Sequence, residues 1–183
     1  MASSTPVRER TRREIVQRAM ELFQVAGYNA TSLQDIATAA GCSKATVLYH
    51  FNGKAAVLAA VLEPSAAALD EVLAELEGLS PAAAQELAIR RFVELAVEKR
   101  GIINVLQDVL QSIEEMPEFT DLVAAGMRLT AYMAGSPDPL ENAIAGFAIG
   151  GLLNECRRPG EQTDDELRTL CDTALRRLLQ PPA

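Results

Sequence analysis

A chain of 183 residues can bury a proper hydrophobic core, and its low aromatic content of 4%, its lack of Trp and its many Ala and Leu residues favour packed helices. Its net charge of −8, averaged over the whole chain, argues against a nucleic-acid partner. The charge is unevenly distributed, however, because residues 1–54 hold seven basic and four acidic residues (+3), whereas residues 55–183 hold ten and twenty-one (−11).

The first predicted helix begins among four arginines and runs to about Ala26. Its apolar residues recur on one face, and Gly27 stops it. The arginines are Arg8, Arg10, Arg12 and Arg13. Two interpretations stay open for them: a solvated, flexible, Arg-rich terminus, which would explain part of the charge asymmetry, or an arm that touches phosphates or reaches a DNA minor groove.

Two short helices joined by a tight turn are predicted between Gly27 and Lys54. Either Thr31 or Ser32 can cap the first, and Gly41 ends it. Ser43 caps the second, whose apolar positions are Val47, Leu48 and Phe51. The residues left toward solvent or a partner are Lys44, Ala45, Thr46, Tyr49 and His50. A helix-turn-helix fits this pattern, with the second helix entering the DNA major groove.

The segment resembles the DNA-binding domain of the TetR family of bacterial transcriptional repressors. The resemblance rests on AMELFQVAGY at the end of helix 1, TSLQDIA, AAGCSKAT across the turn, and YHF followed by Lys54. It covers about residues 9 to 62, and Leu48 stands where family members often carry an aromatic residue. The resemblance implies an all-α chain with a DNA-binding domain at 1–54 and an effector-binding and dimerisation domain at 55–183.

The expected DNA contacts divide into base and phosphate contacts. Thr46, Lys44 and Ala45 are expected nearest the base edges, since a hydroxyl and methyl groups can read bases. Tyr49 and His50 are expected to hold phosphates, as are Lys54 at the start of helix 4 and either Thr31 or Ser32. Arg12 and Arg13 complete the expected site.

Residues 55–183, the body of the chain, are predicted to form further helices. Pro64 is predicted to break or kink the fourth helix of the chain, and Gly101 to interrupt a later one. Helices are predicted at about 65–77, 81–100, 102–113, 118–134, 140–157 and from Thr163 onward. A small, largely apolar effector would bind among the central helices. The expected pocket residues are Phe92, Asn104, Leu106, Gln107, Leu110, Met127 and Tyr132. For Asn104 and Gln107 a solvent-facing polar stripe is the alternative.

The last two helices are both apolar, and the first of them is rich in glycine. They predict a four-helix interface with a second copy of the chain, the arrangement that the family resemblance also implies. The expected interface residues are Gly146, Phe147, Gly150, Leu153, Leu167, Leu170 and Ala174. The alternative is that both helices merely close the core of the monomer.

Other chemistry finds little support in the sequence. Cys42, Cys156 and Cys171 have no metal-ligand or disulfide spacing, and His50 is the one histidine. We therefore expect no metal, no cofactor and no catalytic site. With no signal peptide and no apolar run long enough to span a bilayer, a cytoplasmic location and no membrane partner are expected.

The favoured hypothesis is a homodimeric repressor that binds a pseudo-palindromic operator in double-stranded DNA and is released by the effector. The main alternative is a dimeric small-molecule-binding or interaction protein without sequence-specific DNA binding. A third hypothesis, an enzyme in the helical body, has no residue pattern behind it.

Overall fold

The computed structural model describes residues 7–107, 109, 113, 116–157 and 162–180, and only the backbone of Asn104, Gln107 and Arg157. Within this part of the chain the structure is helical and contains no strand, which confirms the all-α prediction. The chain forms two compact units. The first contains the described residues up to Pro64 and those of 104–120, and the second contains residues 65–103 and those described beyond 120.

The first unit opens with three helices whose ends follow the local signals in the sequence. They are α1 (Val7–Ala26), α2 (Leu33–Ala39) and α3 (Lys44–His50). Helix α2 packs against both α1 and α3 around the fully buried side chains of Ile15, Ile36 and Val47. Gly27 and Gly41 follow α1 and α2 with φ angles of 86° and 66°, a conformation that glycine adopts without a steric cost.

Helix α4 spans Lys54–Leu76 and continues through Pro64, so the predicted break at this proline is wrong. Proline inside a helix removes one hydrogen bond and costs about 3 kcal/mol. Burial of apolar side chains on both sides of it, including Val61 and Leu62 before and Leu69 after, favours the helical path and offsets that cost. Packing therefore overrides the local signal at this position.

The remaining helices are α5 (Pro81–Glu98), α6 (Arg100–Gln107), α7 (Thr120–Ala134), α8 (Pro139–Arg157) and α9 (Asp164–Leu179). A 3₁₀ turn, Pro117–Phe119, precedes α7. In the second unit α9 packs against both α5 and α8. Leu73, Ile89, Met133 and Leu175 are among the side chains that fill the core there.

Two predicted boundaries in the body change. The interruption expected at Gly101 lies at Lys99, and Gly101 is inside α6. The helix predicted over 102–113 ends at Gln107, and most of the following residues lie outside the described part of the chain.

The cap predicted at Thr163 is confirmed, because its backbone N–H donates to the Glu166 carboxylate at 2.8 Å and its Oγ1 accepts from the Glu166 amide at 3.3 Å.

Gln85 connects three helix segments of the second unit. Its Nε2 donates to the carbonyl oxygens of Met133 at 3.0 Å, of Ala134 at 3.2 Å and of Leu179 at 3.2 Å. These carbonyls belong to the last residues of α7 and α9, where the helix itself supplies no donor. One side chain on α5 therefore satisfies the ends of two other helices.

Candidate nucleic-acid interface

The start of α2 is fixed by a capping box at Ser32. Ser32 Oγ accepts from the Asp35 amide at 3.2 Å, and the Asp35 carboxylate accepts from the Ser32 amide at 2.8 Å. The hydrogen bonds from the Ser32 side chain and backbone lower the pKa of Asp35. Of the two caps that the sequence allows, the structure has Ser32.

Thr31 has a different environment from its neighbour. Its side chain is 3% exposed, and its Oγ1 donates to the carbonyl oxygen of Gly27 at 2.8 Å. Ser32, by contrast, is exposed. Of this pair, only Ser32 presents a side chain at the surface where a phosphate could reach it.

The N-terminus of α3 is capped by Ser43. Its Oγ accepts from the Thr46 amide at 3.1 Å and lies 2.9 Å from Thr46 Oγ1. Thr46 is half-buried, and its hydroxyl is engaged with the cap. The residue expected to lie nearest the base edges therefore has its hydroxyl within hydrogen-bond distance of the Ser43 hydroxyl.

The exposed face of α3 differs from the sequence prediction at one position. Val47 is fully buried and Phe51 is 5% exposed, whereas Leu48 is 48% exposed. Its assignment to the apolar face is wrong because successive helical residues turn by about 100°, and the pair four residues apart already occupies the buried side. Ala45 is also exposed, and Tyr49 is 69% exposed.

Arginines from the start of α1 reach the aromatic residues at the end of α3. The Arg8 guanidinium carbon lies 5.6 Å from the Tyr49 ring centre, and that of Arg12 lies 5.1 Å from the Phe51 ring centre. The His50 ring lies 5.2 Å from that of Tyr49, edge to face. The first helix thus adds positive charge beside the exposed face of α3.

Two other cations of the expected site lie at the surface. Arg13 is exposed on α1, and Lys44 is exposed at the first residue of α3. Arg8 and Arg12 are the arginines of α1 that lie against aromatic residues at the end of α3. We call Lys44, Ala45, Leu48 and Tyr49 the exposed face of α3.

Lys54 points into the protein. Its Nζ donates to the carbonyl oxygens of Tyr28 at 2.9 Å and of Thr31 at 3.0 Å, and it lies 4.2 Å from the centre of the Tyr28 ring. Desolvation by burial lowers the pKa of Lys54. The ammonium group therefore joins the turn between α1 and α2 to the start of α4.

Cys42 lies in the turn between α2 and α3, where burial raises the pKa of its thiol. A raised pKa keeps it in the less reactive protonated form. Among the residues that the structure describes, no group of three or more His, Cys, Asp or Glu side chains could hold a metal ion. No helix in the same residues has the length and apolarity needed to cross a bilayer.

The residues expected at a dimer interface fall into two groups. Exposed positions on α8 and α9 are Gly146, Phe147, Gly150, Leu170 and Ala174, with Phe147 83% exposed and Leu170 42% exposed. Leu153 is half-buried against the core of the second unit. Leu167 is 4% exposed and belongs to that core, so its side chain is not at the surface.

The residues expected around an effector are also divided. In the second unit Phe92 is 9% exposed in the core, Tyr132 packs against the core, and Met127 is 61% exposed. Leu106 is half-buried in the first unit. The side chains of Asn104 and Gln107, and all of Leu110, lie outside the described residues.

Comparison with known proteins relates the segment that contains α2 and α3 to a family. The family model for bacterial regulatory proteins of the tetR family matches residues 15–61. The HTH-type transcriptional regulator SrpR of Pseudomonas putida is 44% identical over 54 residues, which are 30% of this chain and 25% of SrpR. The HTH-type transcriptional regulator RutR of Escherichia coli strain K12 is 34% identical over 87 residues, which are 48% of this chain and 40% of RutR.

The chain therefore spans less than half the length of these curated relatives in the aligned regions. A likeness over the whole chain comes from the crystal structure of PfmR, a TetR family transcriptional regulator from Thermus thermophilus. It is 25% identical with a TM-score of 0.63, and the match covers 98% of this chain and 99% of PfmR. Residues 15–61, which contain the helix-turn-helix formed by α2 and α3, thus match the tetR family of bacterial regulatory proteins, and the whole chain has a fold similar to that of PfmR.

Proposed function

We propose that the chain is a homodimeric transcriptional repressor that binds a pseudo-palindromic operator through α3. The observation that carries the proposal is the exposed face of α3, which is bordered by Arg8 and Arg12 of α1, while Arg13 of the same helix is exposed. Cations at the border attract the phosphate backbone, and the face between them is free to contact base edges in the major groove. The positive charge of residues 1–54 supports the same assignment.

The phosphate and base contacts are assigned by exposure. Ala45 would lie nearest the bases. The residues that would contact phosphates are Lys44, Tyr49, His50, Ser32, Arg8, Arg12 and Arg13. Thr46 would contribute through its methyl group and through its hydroxyl, which keeps further hydrogen-bonding capacity beside its contact with Ser43. Lys54 would act by holding the turn between α1 and α2 in place, because its ammonium group donates to two carbonyl oxygens of that turn.

Dimerisation through α8 and α9 is supported by apolar exposure on both helices. Phe147 is 83% exposed on α8, and Leu170 and Leu178, eight residues apart on α9, are 42% and 55% exposed. Gly146 and Gly150 leave open space beside Phe147, so another helix could approach closely there. Apolar side chains on adjacent helices are the kind of surface that a second copy would cover.

In such a dimer, two α3 helices would enter successive major grooves about 34–36 Å apart. A small, largely apolar effector bound in the helical body, near Phe92 and Tyr132, would favour a dimer in which this spacing no longer matches DNA. The effector would thereby release the operator and allow transcription.

The test is a selection of bound sites from a random duplex DNA pool with the purified full-length chain, followed by fluorescence anisotropy at about 50 and 200 mM salt. The expected result is a short palindrome whose affinity falls steeply with salt, because each phosphate contact releases counterions. A folded dimer that enriches no site at either salt concentration would refute the proposal. That outcome would favour the alternative, an interaction protein without sequence-specific DNA binding.

A further inference from the structure

Leu48 is an exposed apolar side chain on a helix that is proposed to meet DNA. It is 48% exposed, although its neighbour Val47 is fully buried. With about 100° between successive helical residues, Ala45 and Tyr49 lie opposite Val47, and Leu48 lies beside them toward Lys44. Leu48 and Ala45 are three residues apart, so their side chains share one surface.

The chemistry of Leu48 limits what it can contact there. A leucine side chain neither donates nor accepts a hydrogen bond, so it cannot bind a phosphate oxygen or a polar base edge. The one apolar group that a base presents in the major groove is the 5-methyl group of thymine. An apolar contact with that methyl group is therefore the sequence-dependent contact open to this residue.

The surroundings of Leu48 supply binding energy that does not depend on it. Lys44 is exposed on the same side of α3, and Arg8 stacks over Tyr49 at 5.6 Å. The hydroxyl of Thr46, which lies 2.9 Å from that of Ser43, is on the other side of α3 from Leu48, because two helical residues turn by about 200°. Loss of the Leu48 side chain should thus leave non-specific attraction intact while removing one source of sequence preference.

We propose, on the basis of the proposed function, that Leu48 is a specificity-determining residue that reads the 5-methyl group of one thymine in each half-site. Its contact adds to that of Ala45. This role differs from phosphate binding, for which leucine has no suitable group.

The test uses the duplex enriched from the random pool and replaces each thymine in turn by deoxyuridine, which removes only the methyl group. For the wild-type full-length chain, one position per half-site should lower affinity about fourfold, the change expected for burying one group of methylene size. Replacement in both half-sites should lower it roughly 15-fold. In Leu48→Ala, the same replacements should change affinity less than about twofold, because the partner of the methyl group is gone.

Val25→Ala is the matched control, since Val25 is 89% exposed on α1 and the substitution also shortens an exposed aliphatic side chain. It should keep the full sensitivity to deoxyuridine. Thermal unfolding checks that Leu48→Ala, a change at an exposed site, leaves the fold intact. A wild-type chain insensitive to every replacement, or a Leu48→Ala chain that keeps the sensitivity, would overturn the inference while the DNA-binding proposal stands. Failure to enrich any site would instead remove both.

Discussion

Lys54 allows a sharp distinction between a residue that holds the DNA-binding unit together and one that contacts DNA. Its ammonium group donates to the carbonyl oxygens of Tyr28 at 2.9 Å and of Thr31 at 3.0 Å. Lys54→Met keeps most of the side-chain length and removes both hydrogen bonds with the charge. We therefore expect a loss of stability together with little change in the salt dependence of DNA binding.

The magnitude follows from the two bonds. A hydrogen bond to a charged group contributes about 1.5–3 kcal/mol, and the lower value suits a side chain that is only half-buried. Two such bonds give about 3 kcal/mol, and solvent screening of a half-buried ammonium group reduces the expected net loss to about 2 kcal/mol. For a chain of this length, that corresponds to a fall in Tm of about 4–8 °C.

Differential scanning calorimetry measures the first quantity, and anisotropy titrations over a range of salt concentrations measure the second. Lys44→Met is the matched control, because it removes the same charge from an exposed side chain of α3. In a dimer it should lower the slope of log affinity against log salt by about 1.8, with no change in Tm. If Lys54→Met behaves like Lys44→Met, with an unchanged Tm and a smaller slope, the positioning role is wrong and Lys54 contacts phosphate.

Other substitutions test the body of the protein. Gln85→Leu removes the donor shared by three carbonyl oxygens and should lower the unfolding free energy by about 2–3 kcal/mol, seen as a fall in Tm of roughly 5–10 °C. Phe147→Ser should weaken dimerisation about 30-fold or more in sedimentation equilibrium, whereas Val25→Ser, at another exposed apolar site, should not; equal effects would place the interface elsewhere. The hydrogen bond from Arg176, at 2.6 Å, holds the pKa of Glu86 below its usual value of about 4.3. The stabilisation from this pair should be fully present above the usual pKa of a Glu side chain and lost as pH falls through the depressed pKa of Glu86. The Tm difference between wild type and Glu86→Gln should therefore shrink on acidification, and a constant difference would contradict this linkage.

Helix type and the ends of the DNA-binding helices could be predicted from the sequence because their signals are local. Ser32 and Ser43 meet backbone amides only three residues away, and Gly27 and Gly41 end helices through their own φ angles. The same reasoning located the cap of the last helix at Thr163. Such interactions need no knowledge of the rest of the fold.

The tertiary structure decided the features that depend on which neighbour covers a residue. Pro64 stays inside α4 although the local signal favours a break, and Leu48 is 48% exposed although the local pattern also fits its burial beside Val47. Lys54 meets carbonyl oxygens 23 and 26 residues earlier, and Gln85 meets others 48 to 94 residues later. Short-range periodicity carries no record of such partners, because their positions are set only when the helices pack.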